Sequence, residues 1–380
     1  MTAWPGVRRT VGTLADGREI LYFDDSEPYL SGGVSRHVPD ERPLGEASVA
    51  GERRLDPLTG EWVAIAAHRM NRTFLPPANE CPLCPTGRGT VASEVPARDY
   101  DVVVFENRFP SFSTRTADNS GPGLVDGEPL YPRAPAFGRC EVVCFTSRHD
   151  GTFADLTPER TRTVIEAWAD RTRDLSALSG VGEVFCFENR GKEIGVTLSH
   201  PHGQIYAYPF VTPRTARLLQ MAGLHRERSG GDLLADVLAA ECRAGTRVVL
   251  TGEHWTAYVP GAARWPVEVH MTPHRAVPDL AALDDAEKDE LSVLYLDLLR
   301  RLDRFHETDD GPVRLPYIAG WHPAPAGEGR DLVRLQLQVT SVLRSPGKLK
   351  YLAGSETGMG AFINDTTPER IAARLREVAQ

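Results

Sequence analysis

A chain of 380 residues with a net charge of −9, 41% hydrophobic and 25% charged, has room for two or three domains and the composition of an ordinary folded protein. That excludes a disordered, collagen-like or disulfide-dense scaffold. With no long run of like charge, neither nucleic acid nor an anionic membrane is expected as the principal partner. No stretch reaches the roughly 18 apolar residues of a membrane span, and no apolar core follows residues 1–9, so a cytoplasmic protein is expected.

Residues 1–50 read as an appended polar arm with one candidate hairpin, 18–23, ahead of a stretch interrupted by Pro43 and Gly45. From Arg53 a turn leads into an alternating strand through Trp62, Val63, Ala64 and Ile65, and the basic loop His68-Arg69-Met70-Asn71-Arg72 follows. Short strands are expected at 102–105, 141–145, 183–187 and 204–208. Between them, Thr157 as N-cap and Pro158 as first helical residue open a helix to about 177, with Val164, Ile165, Trp168 and Leu175 on one face.

A second set repeats this order. Strands are expected at 247–251, 256–259 and 267–272, then a helix capped by Asp284, then an alternating strand at 335–342. Cys140-Glu141-Val142 followed by Asp155-Leu156 matches Val267-Glu268-Val269 followed by Asp279-Leu280, displaced by about 125 residues. Two α+β units derived by duplication are expected, at 51–230 and 231–380, with a last helix opened by Thr367 and Pro368.

Six cysteines are too few for a secreted disulfide framework. Cys140, Cys144 and Cys186 fall in apolar strand-like runs and Cys242 in a helical pattern, all read as packing. Cys81-Pro82-Leu83-Cys84 differs: two thiols two residues apart in a tight turn can reach one metal. No second such pair exists, so the remaining ligands should be histidines, with His149, His200 and His202 as candidates.

His200-Pro201-His202-Gly203-Gln204 is the stronger signal. Pro201 forces His200 into an extended conformation, and Gly203 is expected to leave room for a ligand's phosphate beside the backbone. The flanking text, from Arg53-Arg54-Leu55-Asp56-Pro57-Leu58-Thr59-Gly60-Glu61-Trp62 through Phe187-Glu188-Asn189 to Gly320-Trp321-His322 and residues 350–356, resembles the galactose-1-phosphate uridylyltransferase family, the transferase branch of the histidine-triad superfamily. The resemblance covers about residues 51–380.

It implies an α+β fold of two histidine-triad-like half-barrel units, with antiparallel sheets and helices, the second unit lacking its own motif. It implies a structural zinc on Cys81, Cys84, His149 and His200, and His202 as nucleophile with Gln204 beside it. Uridine and phosphate contacts are implied at Arg69, Arg72, Leu83, Asn107, Arg108, Asn189, Gly195, Val196 and Thr197. Lys350, Tyr351 and Glu356 are implied to reach the sugar phosphate from the partner of a homodimer with shared sites. The implied activity is exchange of UMP between UDP-glucose and galactose 1-phosphate. Imidazole suits a covalent route because its phosphoryl adduct is about as reactive as the anhydride it replaces. Gln204 can donate to phosphoryl oxygen without shuttling a proton, whereas related hydrolases carry a third histidine there.

Departures from the family pattern cluster in the ligand shells. A second, iron-type site is expected to be absent: Gln336 and Gln338 replace two histidines, the carboxylate position falls on Arg214, and only His322 remains. Gly320-Trp321-His322-Pro323 is read as a packed turn. Arg108 stands where an acidic residue is frequent, Ser355 replaces a tyrosine and Phe362 a glutamine. A nucleotide-sugar phosphorylase or adenylyltransferase on the same scaffold, and a zinc-stabilised nucleotide-binding module without catalysis, are the alternatives.

Overall fold

The structure, a computed structural model, describes residues 6–49, 51–71, 76–87, 92–116 and 121–379. Eleven strands build one antiparallel sheet: β1 (Arg8–Thr13), β2 (Glu19–Asp24), β3 (Val102–Glu106), β4 (Arg139–Cys144), β5 (Glu183–Arg190), β6 (His202–Tyr208), β7 (Val248–Thr251), β8 (Trp255–Tyr258), β9 (Val267–Pro273), β10 (Tyr317–His322) and β11 (Gln336–Ser341). Their spatial order is β1-β2-β3-β4-β6-β5-β10-β11-β9-β8-β7. Read outward from the β5–β10 pair, the two sides have the same connectivity, as duplication predicts. The seam is in register from Tyr317 opposite Arg190 to Trp321 opposite Cys186.

Side chains alternate across the sheet, so each strand has a helix-facing and an outer set. The helix-facing set, including Val143, Val184, Cys186, Ile205, Val269, Trp321 and Leu337, forms one core with α1 (Pro158–Ser176) and α4 (Asp285–Asp303). Trp168, Tyr295 and Trp321 meet there with ring centroids 6.0 to 6.5 Å apart. Both helices start at the expected caps: Thr157 accepts from the Arg160 N–H, and Asp284 and Glu287 close a capping box. The outer face carries His202 and Gln204. In the first half it is covered by a separate cluster in which Leu83, Cys84, Val95 and Tyr100 pack on Val103, Phe105 and Cys144.

Four findings modify the sequence reading. The polar lead joins the main sheet: β1 and β2 form a hairpin whose second strand pairs with β3. The stretch through Gly320 and His322 is strand β10, in which Gly320 lies under the Phe185 ring, not a turn. Two helices were missed in part, α2 (Pro213–Ser229) and α3 (Leu233–Ala244), each closed by a left-handed glycine, Gly230 and Gly245; α5 (Pro368–Glu377) starts as expected. Cys242 is exposed on α3. Among the described residues no helix is long and apolar enough to cross a membrane.

Candidate active site

The turn after residues 78–80 brings Cys81 and Cys84 back over β4, and the loop beyond β4 delivers His149. Cys84 Sγ lies 3.3 Å from His149 Nδ1 and 3.5 Å from His200 Nδ1, and one ligand atom from each of Cys81, Cys84, His149 and His200 lies within 4.8 Å of all the others. A tetrahedral zinc with Zn–S of about 2.3 Å and Zn–N of about 2.0 Å sets S and N roughly 3.5 Å apart, so the set fits such an ion. The surroundings fix the histidine. His200 Nε2 donates to the Thr146 carbonyl at 2.8 Å, which leaves Nδ1 as the lone-pair nitrogen, and Tyr100 packs at 2.9 Å while donating its hydroxyl to Leu83 O at 3.0 Å.

His202 is the first residue of β6 and sits on the outer face. Its Nδ1 lies 2.7 Å from the carbonyl oxygen of His200. A carbonyl only accepts, so Nδ1 carries the proton and Nε2 presents its lone pair. Burial pushes the imidazole below its ordinary pKa, opposed by that hydrogen bond, so the ring is neutral near pH 7. Gln204 follows on the same face; its Oε1 accepts from the Tyr206 hydroxyl at 3.3 Å, leaving Nε2 to donate. Gly203 points the other way. A Cβ there would sit 2.8 Å from both the Phe145 ring and the Phe187 carbonyl, so this glycine serves close packing against the core, and the phosphate-approach reading of it is corrected.

Two adjoining hollows, of about 210 and 200 Å³, share Leu198 and His202. The first is lined by Asn189 and Val196, the second by Arg69, Leu83, Asn107, Arg108, Thr197 and Gln204. The structure therefore gathers most of the expected contacts around the His202 ring. Asn107 Oδ1 accepts the Phe109 N–H at 2.8 Å, and Arg69 donates to the Phe109 carbonyl at 2.7 Å, so both are held in place by one turn. Gly195, at φ +81°, closes the turn that carries Val196 and Thr197 but lines neither hollow. Arg72 lies outside the described residues. Lys350, Tyr351 and Glu356 are not around this ring: Lys350 is buried, 3.2 Å from Glu356 and bonded to the Ile363 carbonyl, while Tyr351 is 75% exposed.

One group was missed. Glu94 lines the second hollow and is gripped by Arg18 at 2.5 Å and Arg42 at 2.9 Å, both from the amino-terminal arm, with Arg108 at 3.6 Å. Its backbone N–H is tied to Pro82 O at 2.8 Å, between the two cysteines. The candidate hairpin at 18–23 gave no hint of where the arm docks.

Family models for the amino- and carboxy-terminal domains of galactose-1-phosphate uridyl transferase match residues 44–212 and 220–380. Galactose-1-phosphate uridylyltransferase of Streptomyces lividans is 47% identical, over 98% of this chain and 98% of its own. The chain belongs to the galactose-1-phosphate uridylyltransferase family. The Thermotoga maritima member is 36% identical over 86% of this chain and 98% of its own, and a solved uridylyltransferase structure superposes with a TM-score of 0.77 at 34% identity, covering 87% of this chain and 99% of that one.

In this galactose-1-phosphate uridylyltransferase family member, the outer face of the second half brings Arg214, His322, Gln336 and Gln338 together. Arg214 donates to Gln338 Oε1, Gln338 Nε2 donates to Gln336 Oε1 at 2.7 Å, and Gln336 Nε2 donates to the Tyr258 hydroxyl at 3.2 Å. His322 rests on Phe185, its pKa pushed down to about 3 by burial and then by Arg214 and His270. These groups do not fit a metal: two amides and a guanidinium offer no anionic ligand, and the guanidinium repels a cation.

Proposed function

We propose that the enzyme exchanges UMP between UDP-glucose and galactose 1-phosphate through a uridylyl adduct on His202. The observation that carries this reading is the 2.7 Å bond from His202 Nδ1 to the His200 carbonyl, which commits the proton to one nitrogen and leaves Nε2 as a neutral nucleophile. Nε2 attacks the α-phosphorus of UDP-glucose, the phosphoanhydride bond breaks and glucose 1-phosphate leaves with the electron pair. No general acid is needed for so weakly basic a leaving group. The proton stays on Nδ1, still donated to the His200 carbonyl, and that hydrogen bond stabilises the positive charge the ring takes on in the adduct. Gln204 Nε2 donates to a non-bridging oxygen of the transferred group. Galactose 1-phosphate then attacks the same phosphorus, breaks the N–P bond and leaves as UDP-galactose.

The four-ligand set holds zinc as a structural ion, on the support of the ligand spacing and the fixed His200 ring. Its chemistry is confined to clamping His200, and through that carbonyl the ring of His202. We take the active form to be a cytoplasmic homodimer in which residues 51–230 carry the nucleophile and residues 350–356 of one subunit serve the other subunit's sugar phosphate; the exposure of Tyr351, away from its own chain's hollow, supports this.

Incubation with UDP-glucose alone tests the proposal. One glucose 1-phosphate should be released per site, with a mass increase of one uridylyl group on His202, and His202→Ala should give neither. Intersecting initial-rate lines with no adduct under rapid acid-free trapping would sink it. Arg108, beside Glu94 in the nucleotide hollow, makes a donor and acceptor panel worthwhile; ADP-glucose or inorganic phosphate outperforming UDP-glucose and galactose 1-phosphate would favour the adenylyl or phosphorylase reading.

A further inference from the structure

Tyr100 is 2% exposed, in the cluster of Leu83, Cys84, Val95 and Cys144 that covers the outer face of the first half. A phenylalanine would fill the same space with no polar atom to desolvate, and a buried hydroxyl is unfavourable unless its hydrogen bonds are made. Here they are made. The proton goes to the Leu83 carbonyl at 3.0 Å, the oxygen lies 2.9 Å from His200 Nε2, and the buried Cys144 thiol is a third neighbour. Because Nε2 also reaches the Thr146 carbonyl at 2.8 Å, its single proton lies between two oxygen acceptors, which fixes the plane of the imidazole as well as its tautomer.

These neighbours belong to three segments. Leu83 sits between the two cysteines of the turn, and it lines the second hollow; His200 lies just ahead of β6; Cys144 ends β4, in register opposite His202. One hydroxyl therefore joins the turn that carries two of the expected metal ligands to the ring that is a third. The bond from the Glu94 N–H to Pro82 O at 2.8 Å also holds the turn, but it runs to a different segment, so the turn keeps an anchor when the hydroxyl is removed.

We propose that Tyr100 is a positioning residue for uridylyl transfer: its hydroxyl locks the cysteine turn to the His200 ring, and so holds in place the backbone carbonyl that orients the His202 ring. Tyr100 lines neither hollow and acts through His200 and Leu83. Partners that orient a ligating histidine set its geometry, and losing one ordinarily costs about 10–100-fold in metal affinity or activity. The kinetic side of this inference rests on the reading of His202 as nucleophile; the metal side does not.

Tyr100→Phe removes the hydroxyl and keeps the ring. In zinc-loaded protein, release of the ion to an excess of a chromogenic pyridylazo chelator should be about tenfold faster than in the parent. With UDP-glucose alone, the maximal first-turnover rate of glucose 1-phosphate release should fall about tenfold while the half-saturating concentration stays within about threefold, since the residues lining the hollows are unchanged. Tyr22→Phe controls for a merely structural loss: it takes a hydroxyl from the same cluster, 3% exposed and bonded to the Ala97 backbone, and both rates should stay within about twofold of the parent. Parent-like zinc release in Tyr100→Phe, or equal changes in the two variants, overturns the proposal. Faster zinc release with an unchanged first turnover would confine Tyr100 to holding the metal and overturn its positioning role. Should Tyr100→Phe fail to fold, the parent decides by NMR: a slowly exchanging Tyr100 hydroxyl proton with a cross-peak to the His200 Nε2 proton is expected, and its absence overturns the link. If the parent releases no glucose 1-phosphate, the transfer reading fails, and zinc release still decides whether the hydroxyl locks the turn to His200.

Discussion

The His200 ring turns Nδ1 toward Cys84 at 3.5 Å, and its backbone carbonyl accepts a hydrogen bond from His202 Nδ1 at 2.7 Å, so one residue joins the cysteine turn to the His202 ring. Cys84→Ser is therefore expected to act in two places. Elemental analysis should find one zinc per chain in the parent, and the variant should lose it together with several kcal/mol of folding free energy. In whatever fraction stays folded, adduct formation on His202 should slow more than UDP-glucose binding weakens. Full activity in metal-free protein would break the link.

Arg18 is 1% exposed, bonded to Asp16 at 2.7 Å, Glu94 at 2.5 Å and the Glu106 carbonyl at 2.8 Å. Arg18→Ala leaves two acids with a lost partner in a low-dielectric setting, for which about 3–5 kcal/mol of destabilisation is expected in denaturant titrations. Because Glu94 lines the hollow proposed to take the nucleotide, KM for UDP-glucose should rise in the folded variant. A wild-type KM would show that the arm is a structural brace only.

Glu188 points to the helix side of β5, accepts from the Tyr317 hydroxyl at 2.9 Å, and has its pKa pushed up from 4.5 to about 7 by burial, against the pull of Arg190 and Tyr317. The folded form thus holds this proton more tightly than the unfolded chain does. Its stabilising contribution is complete below about pH 4.5 and disappears as the pH climbs toward 7, a loss of roughly 3 kcal/mol. Glu188→Gln keeps the acceptor and removes the titration. At pH 8 the variant should melt above the parent, and at pH 4 the two should coincide; identical differences at both values would show that Glu188 titrates normally.

Residues 350–356 lie away from the His202 ring of their own chain, and Lys350 with Glu356 holds that segment together. Mixed dimers of His202→Ala and Lys350→Ala subunits should hence recover part of the activity that each homodimer lacks, since one of the two sites is then built from intact parts. Purified heterodimers as inactive as both parents would place each site within one subunit.

Much of this was legible before any coordinates. Period-two alternation located the strands around Val143, Ile205 and Leu337 because one face of each is buried under a helix, and Thr157, Pro158 and Asp284 marked the helix starts because orphan N–H groups need those side chains. The Cys81–Cys84 turn and the His200–His202 pair were readable because their chemistry depends on short spacings. Long-range docking was not: nothing local in residues 6–24 says that they pair with β3 or send Arg18 to Glu94. Gly203 was misread because a glycine's missing side chain does not reveal which neighbour occupies the space. Helix α2 buries little more than Thr215 and Ala222, so its apolar stripe was too thin to register.

The continuous β5–β10 seam has a consequence for how the molecule can be taken apart. Cutting the chain between residues 212 and 220, where the two family domains meet, would strip β10 from β5 and expose the hydrogen-bonding edge of Glu183–Arg190, with Val184, Cys186 and Phe187 along it. An open edge of that composition is a template for another strand. A severed amino-terminal half should not persist as a monomer; it should pair edge to edge with a second copy of itself, rebuilding through two identical chains the two-fold arrangement that one chain now holds covalently.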